Sequence, residues 1–303
     1  MSPRYLVRTG SDAAWGVPAA LEGHVDGFRR WTIVDEPAGA VSTGFGIGEM
    51  DPGGSIDWHV HSYEESLFVL DGEVVLSTTE AGVLLVPGDY ALVPLGQAHM
   101  LANRSFGPAR WATMSAPQPR PDHGGDTYFV PALPERDPVP VDVRDPRTRA
   151  FGHIEPENMD AAKQTQDIVA VSASMRTALL VYSGVTVKMM VDSDLGAQLS
   201  TMFMVQNDEG GGAGPHDHPF EETYMILEGA VDATFDGDAY RLETGDVAWA
   251  GAGCVHSFNN RGPGVVRWLE TQAPAPPPRH SYRFARDWEY LRGAIAEGSG
   301  EVR

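Results

Sequence analysis

Residues 53–72 read GGSIDWHVHSYEESLFVLDG, and residues 210–229 read GGGAGPHDHPFEETYMILEG. Both carry one spacing: Gly53-x5-His59-x-His61-x3-Glu65-x6-Gly72 returns as Gly210-x5-His216-x-His218-x3-Glu222-x6-Gly229. Each matched pair lies 157 residues apart, as His59 does from His216. A second block keeps the same offset, with Gly88, Asp89, Gly96, His99 and Asn103 recurring as Gly245, Asp246, Gly253, His256 and Asn260. Arg110-Trp111 recurs as Arg267-Trp268. Chance can align one pair of histidines, but two blocks and their separation, free of insertions, mark a duplicated unit.

Short runs rich in Val, Leu, Ile, Thr and Phe surround the repeat, among them Val74–Ser77, Val83–Val86, Ala230–Phe235 and Val247–Ala250. Asp-Gly, Glu-Gly and Pro-Gly pairs punctuate them, which is the pattern of an all-β meander. Strands this short and numerous close into a β-barrel or two-sheet jelly roll, because closure limits exposed edges. The expected organisation is a first barrel with an N-terminal extension over 1–116 and a Pro-rich linker over 117–145. A second barrel follows over 146–283, with a short helix and frayed tail over 284–303.

Side chains two apart on a strand share a face. Read as one continuous strand, His59, His61 and Glu65 point inward together, and so do His216, His218 and Glu222. Two imidazoles and a carboxylate among apolar neighbours cost several kcal/mol without partners. A divalent metal supplies the compensating charge, and His99 and His256 supply a third imidazole to each set. The six histidines are drawn from ten in the chain. The alternative, a satisfied polar core with no ion, is weakened by the duplication.

Around these sets, Tyr63, Trp58 and Leu67 are expected to shape the first cavity, and Tyr224, Phe220, Met202, Met204 and Trp249 the second. Tyr224 and Arg267 are the candidates for a direct part in catalysis, with Arg110 as the counterpart of Arg267. Glu64 and Glu221 have opposite parity to the ligand glutamates and are expected to face outward. Lys188 is expected to face solvent. Cys254 shares parity with His256 and is either a neighbour of the second site or a small buried thiol. The run Gly210–Gly212 reads as a flexible loop able to gate entry.

The formal charge of −20 repels phosphate backbones and anionic lipid, and no basic stripe offsets it. Neither nucleic acid nor membrane is therefore expected as a partner. No apolar run is long enough to span a bilayer, and no secretory signal is readable after Met1. With Cys254 the only cysteine, no internal disulfide can form, and the expected location is cytoplasmic.

The two blocks resemble the motifs of the cupin superfamily, G(X)5HXH(X)3,4E(X)6G and G(X)5PXG(X)2H(X)3N. The N-terminal copy matches throughout, through Gly53, His59, His61, Glu65, Gly72, Gly88, Pro94, Gly96, His99 and Asn103. The C-terminal copy departs once, with Gly251 at the proline position. The resemblance implies a bicupin of two tandem jelly-roll barrels, similar to quercetin dioxygenase, with two four-residue metal sets: His59, His61, Glu65 and His99, then His216, His218, Glu222 and His256. Iron(II) is the leading ion, with manganese, nickel or zinc as alternatives, one or two per chain.

An oxygenase acting on a small organic acid, diketone or phenolic substrate with molecular oxygen is the preferred reading. A non-redox isomerase or aminohydrolase and a non-catalytic binding protein are its rivals. Two fused barrels already supply the pairing that single cupins reach by dimerising, and a further homo-oligomer stays open. Oxalate decarboxylase-like sequences carry an arginine before the first histidine and a His-Trp-His, neither of which appears in Ser55–His61.

Overall fold

The computed structural model of the chain describes residues 4–160, 183–275 and 283–284. These form two sheets, of twelve and ten strands. The first runs Pro138–Pro140, Gly82–Leu85, Val74–Thr78, His99–Ala102, Gly44–His61, Ala109–Ala116, Glu64–Asp71, Asp89–Val93 and Phe151–His153. The second has the same central order reversed, from Val247–Ala250 through Glu221–Glu228, Val266–Ala273, Thr201–Asp217, His256–Asn259, Ala230–Phe235 and Asp238–Glu243. Each sheet curls into a jelly-roll barrel, so the duplication read in the sequence is a duplication of topology.

Alternation explains why these segments are strands. In Ala230–Phe235 every second residue, Val231, Ala233 and Phe235, is buried in the barrel core. Turn glycines hold the hairpins in register. Gly72 has φ +70°, and a Cβ there would sit 2.2 Å from the Pro108 carbonyl oxygen. Gly229 repeats this with φ +78° and the Val265 carbonyl oxygen at 2.5 Å, so no side chain fits at either turn. The motif asparagines close the adjoining loops: Asn103 Nδ2 donates to the Met50 and Gly107 carbonyls, and Asn260 Nδ2 to those of Asn207 and Gly264.

Each barrel has its own apolar core, and a third core lies between them. Trp31, Phe45, Ile47 and Met114 of the first barrel meet Met202, Met204, Met225, Trp249 and Leu269 of the second there. Met202, Met204 and Trp249 thus pack between the barrels, and the expectation that they shape the second cavity is corrected. Alternation is the reason: Phe203 and Val205 point into the barrel, so their neighbours point out.

The same interface gives the outward-facing Glu64 and Glu221 their partners. Both face out of their barrels, yet they are only 1% and 5% exposed because the other barrel covers them. Glu64 accepts from the amides of Gln198 and Leu199 and from the Ser200 hydroxyl. Glu221 accepts from the amides of Val41, Ser42 and Thr43 at the equivalent positions. Each barrel therefore sends one carboxylate into a loop of the other.

Strands are exchanged as well. Tyr5–Arg8 pairs antiparallel with Val247–Ala250 of the second barrel, and Phe151–His153 pairs with Asp89–Ala91 of the first. Hydrogen bonding thus crosses the divisions drawn at 116 and 146. Gly251 is explained by this exchange, because its amide donates to the Arg4 carbonyl at 2.8 Å. A proline has no such donor.

The segment 117–145 is built into the first barrel. Thr127–Phe129 pairs with His59–His61, and Pro138–Pro140 pairs with Gly82–Leu84. Gly210–Gly212 lies inside the strand Thr201–Asp217 and not in a loop. The expected helix and tail over 284–303 lie outside the described residues apart from Phe284, which with Arg283 pairs with His216–Asp217. Among the described residues no helix is long and apolar enough to cross a membrane.

Candidate metal centres

The long strand Gly44–His61 brings His59 and His61 to the interior of the first barrel. The chain then bends at Ser62 and Tyr63, and Glu65 comes from the next strand, Glu64–Asp71. The expectation of one continuous strand is corrected here: the barrel corner, and not strand parity, turns the carboxylate toward the imidazoles. His99 opens the neighbouring strand, directly across from His59 in the register.

One ring nitrogen of His59, His61 and His99 lies within 4.8 Å of the others, an arrangement able to hold a metal ion. Each Nδ1 is spent on a carbonyl two residues away: Asp57 at 2.7 Å, Tyr63 at 2.6 Å and Gln97 at 2.9 Å. A carbonyl only accepts, so each Nδ1 carries the proton and each neutral ring presents a lone pair at Nε2. Burial, reinforced by His99, pushes the His59 imidazole down to about 3, so this ring stays neutral at ordinary pH.

Burial alone would raise the Glu65 carboxyl, but His61 and His99 hold it well below its usual range. Its Oε2 lies 3.6 Å from the Nε2 atoms of His61 and His99, too far for hydrogen bonds. Those two Nε2 atoms are buried without a hydrogen-bond partner. Buried polar atoms are rarely left so. A divalent cation among them satisfies both nitrogens and the carboxylate, so the residues present fit the ion.

The second barrel repeats the orienting bonds, from Nδ1 of His216, His218 and His256 to the carbonyls of Gly214, Phe220 and Cys254 at 2.7, 2.8 and 3.0 Å. Its centre is otherwise filled. His218 Nε2 lies 2.6 Å from Glu222 Oε2, and Gln272 donates to Glu222 Oε1 at 2.5 Å. The Tyr224 hydroxyl donates to Glu222 and lies 2.9 Å from His256 Nε2. Donor atoms of His218, Glu222 and His256 still lie within 4.8 Å of one another.

The cavities differ more than the ligands do. Beside the first set lies a cavity of about 350 Å³, bordered by His59, Glu65, Tyr63, Arg30, Thr113 and Trp111. Beside the second only about 30 Å³ is left. The 157-residue offset accounts for the filling, since Gly46, Gly48, Leu67, Leu101 and Thr113 of the first barrel become Phe203, Val205, Tyr224, Phe258 and Glu270.

Comparison with known proteins agrees with this architecture. The cupin domain family matches residues 46–115 and 203–271, the two barrel cores. A tetracenomycin polyketide synthase protein of Streptomyces glaucescens is 32% identical over 108 residues, 35% of this chain and 72% of that protein. The chain belongs to the cupin family. Among solved cupin structures, oxalate decarboxylase from Bacillus subtilis shares 12% identity with a TM-score of 0.63, covering 98% of this chain and 84% of that one. Salicylate 1,2-dioxygenase from Pseudaminobacter salicylatoxidans shares 15% identity with a TM-score of 0.57, covering 80% and 75%. At these identities the likeness is one of fold.

Of the other residues singled out in this cupin, Tyr63 lines the first cavity and stacks on His61, rings 4.0 Å apart. Phe220 stacks on His218 in the same way. Arg267 is not brought to the second centre; it pairs with Glu228 at 2.8 Å and Gln206 at 2.7 Å beside the cleft between the barrels. Arg110 is bound by Glu49. Cys254 is buried in the second core, where burial pushes its thiol up to about 12. Lys188 is half-buried, and it alternates with the Val185 and Val187 that line the second cavity.

Arg30, Thr32, Thr113, Ser115, Gln118 and Thr127 also border the first cavity, and motif reading passed over all six. Arg30 and Thr32 lie upstream of the motif, Gln118 and Thr127 in the supposed linker. A trace was present, because Arg30 and Gly46 correspond to Val187 and Phe203, and such a change of size between copies marks where they diverge.

Proposed function

We propose that this cupin is a metal-dependent enzyme whose chemistry takes place in the first barrel. In this reading His59, His61, Glu65 and His99 hold one divalent ion, with iron(II) the leading candidate. The reaction proposed is a non-haem dioxygenation of a small organic acid, diketone or phenolic substrate. The observation that carries it is the cavity of about 350 Å³ bordered by His59 and Glu65, in a ligand set whose His61 and His99 Nε2 atoms have no protein partner. The second set, His216, His218, Glu222 and His256, has no adjoining volume for a substrate, so an ion held there would serve the fold.

Iron(II), if held by these four side chains, would supply a Lewis-acidic, redox-active centre. The protein groups prepare that centre. Carbonyls fix the three rings with Nε2 inward, and Glu65 lowers the net charge of the site to about +1, which favours an anionic oxygen donor. Tyr63 remains a neutral phenol because burial raises it, and its hydroxyl is oriented by Thr127 Oγ1 at 3.2 Å. The turns Ala19–Leu21 and Pro121–Asp126 border the cavity and limit bulk water.

The test is metal analysis of protein purified without added metal, together with oxygen uptake on enolisable and phenolic acids. His61→Ala is expected to lose the first ion and all turnover, while His218→Ala keeps turnover. Turnover that persists without oxygen would move the site to the isomerase or aminohydrolase reading. A wild-type chain that binds none of iron, manganese, nickel or zinc would end the metalloenzyme reading.

A further inference from the structure

We propose that Arg30 is the substrate-binding residue of the first cavity and that it takes the carboxylate of an acid with an apolar, ring-sized body. This rests on the reading of the first barrel as the reactive one. Four other arginines, Arg29, Arg110, Arg120 and Arg267, are held by Glu49, Asp126 or Glu228. Arg30 forms no ion pair or hydrogen bond with a carboxylate among the described residues, Glu65 acting on it only through space, and its Nε is buried without a hydrogen bond. A guanidinium in a protein cavity is costly unless an anion meets it.

The site is built around this side chain. Gly46 leaves space for this side chain and for the backbone beside it, since a Cβ there would lie 2.6 Å from Arg30 Nε, 2.7 Å from the Trp31 carbonyl oxygen and 3.1 Å from Arg30 Nη2. In the closed barrel the same two positions are Val187 and Phe203, so charge and space are absent together. Further polar atoms at the cavity also lack partners, namely Thr113 Oγ1 and Gln118 Oε1. Phe28, Ile56, Leu101 and Trp111 give the rest an apolar, partly aromatic lining.

The charges agree. A divalent ion with three neutral imidazoles and Glu65 carries about +1, and Arg30 raises the cavity to about +2. A carboxylate that also presents a hydroxyl, enolate or keto oxygen answers both charges, with its planar head matching the guanidinium fork. A neutral ligand answers neither.

Calorimetric titration of the manganese-loaded full chain with benzoate, salicylate and phenylpyruvate, each against its primary amide, tests the assignment. At least one acid is expected to bind about tenfold or more tightly than its amide. Arg30→Met should remove that advantage while leaving amide binding and metal content unchanged, and Arg30→Lys should restore part of it. The proposal is overturned if no acid binds, if acids and amides bind alike, or if Arg30→Met holds the acids as the wild type does. Acid binding that depends on Arg30 in a chain that holds no metal would keep this assignment and remove the metalloenzyme reading.

Discussion

At the scale of single residues, the first centre is set by what its side chains already have as partners. The orienting bonds at Nδ1 leave Nε2 of His61 and His99 unsatisfied, whereas the Tyr224 hydroxyl reaches both Glu222 and His256 in the second. A neighbour of the first centre gives a pH test. Arg120 holds the Asp126 carboxyl at about 2, beside the Thr127 that lines the cavity. Its folded value lies below the unfolded one near 3.9, so its contribution is complete above about pH 4 and fades as pH falls toward 2. Arg120 is well exposed, so solvent screening reduces this to about 1 kcal/mol. Urea unfolding of Asp126→Asn is expected to show that loss at pH 6 and only a small part of it at pH 2.

At the scale of elements, the strand Glu64–Asp71 and its repeat Glu221–Glu228 do two jobs through alternation. Glu65 and Glu222 point into the barrels, and Glu64 and Glu221 point across the interface onto backbone amides of the other barrel. One corner thus fixes a ligand carboxylate and an interdomain anchor in adjacent residues. Hydrogen bonds from buried amides to these carboxylates contribute about 1.5–3 kcal/mol, set against the burial that raises the Glu221 carboxyl. Glu64→Gln and Glu221→Gln are each expected to lower unfolding free energy by about 2 kcal/mol. Glu228→Gln, which loses only a half-exposed pair with Arg267, is expected to cost less than about 1 kcal/mol. Equal midpoints for all three variants in a denaturant series would remove the anchoring role.

At the scale of the whole molecule, the barrels are interlocked. Tyr5–Arg8 completes the second sheet, Phe151–His153 completes the first, and the core between them draws Trp and Met side chains from both. A cut between residues 145 and 146 leaves the first half without Phe151–His153 and the second without Tyr5–Arg8. It also exposes the apolar face that each presents to the other, which favours association. The separate halves are expected to be insoluble or self-associated, and co-expressed halves to recover a 1:1 complex with the circular dichroism of the intact chain. Two separate, monomeric, cooperatively folding halves would show that the exchange is dispensable.

The residues alone determined the duplication, the all-β barrels and the eight candidate ligands, because motif spacing fixes backbone turns and register, which a short stretch encodes locally. They did not reveal that Glu65 stands round a corner from His61, that Glu64 and Glu221 are anchors, or that residues within 118–127 border the first site. Nor did they show that one cavity is open and the other full. Those outcomes depend on which side chains meet across strands distant in sequence, as Arg30 does with Gly46 and Val187 with Phe203. Volume inside a barrel is a sum over all the strands that enclose it, and only the assembled sheet decides it.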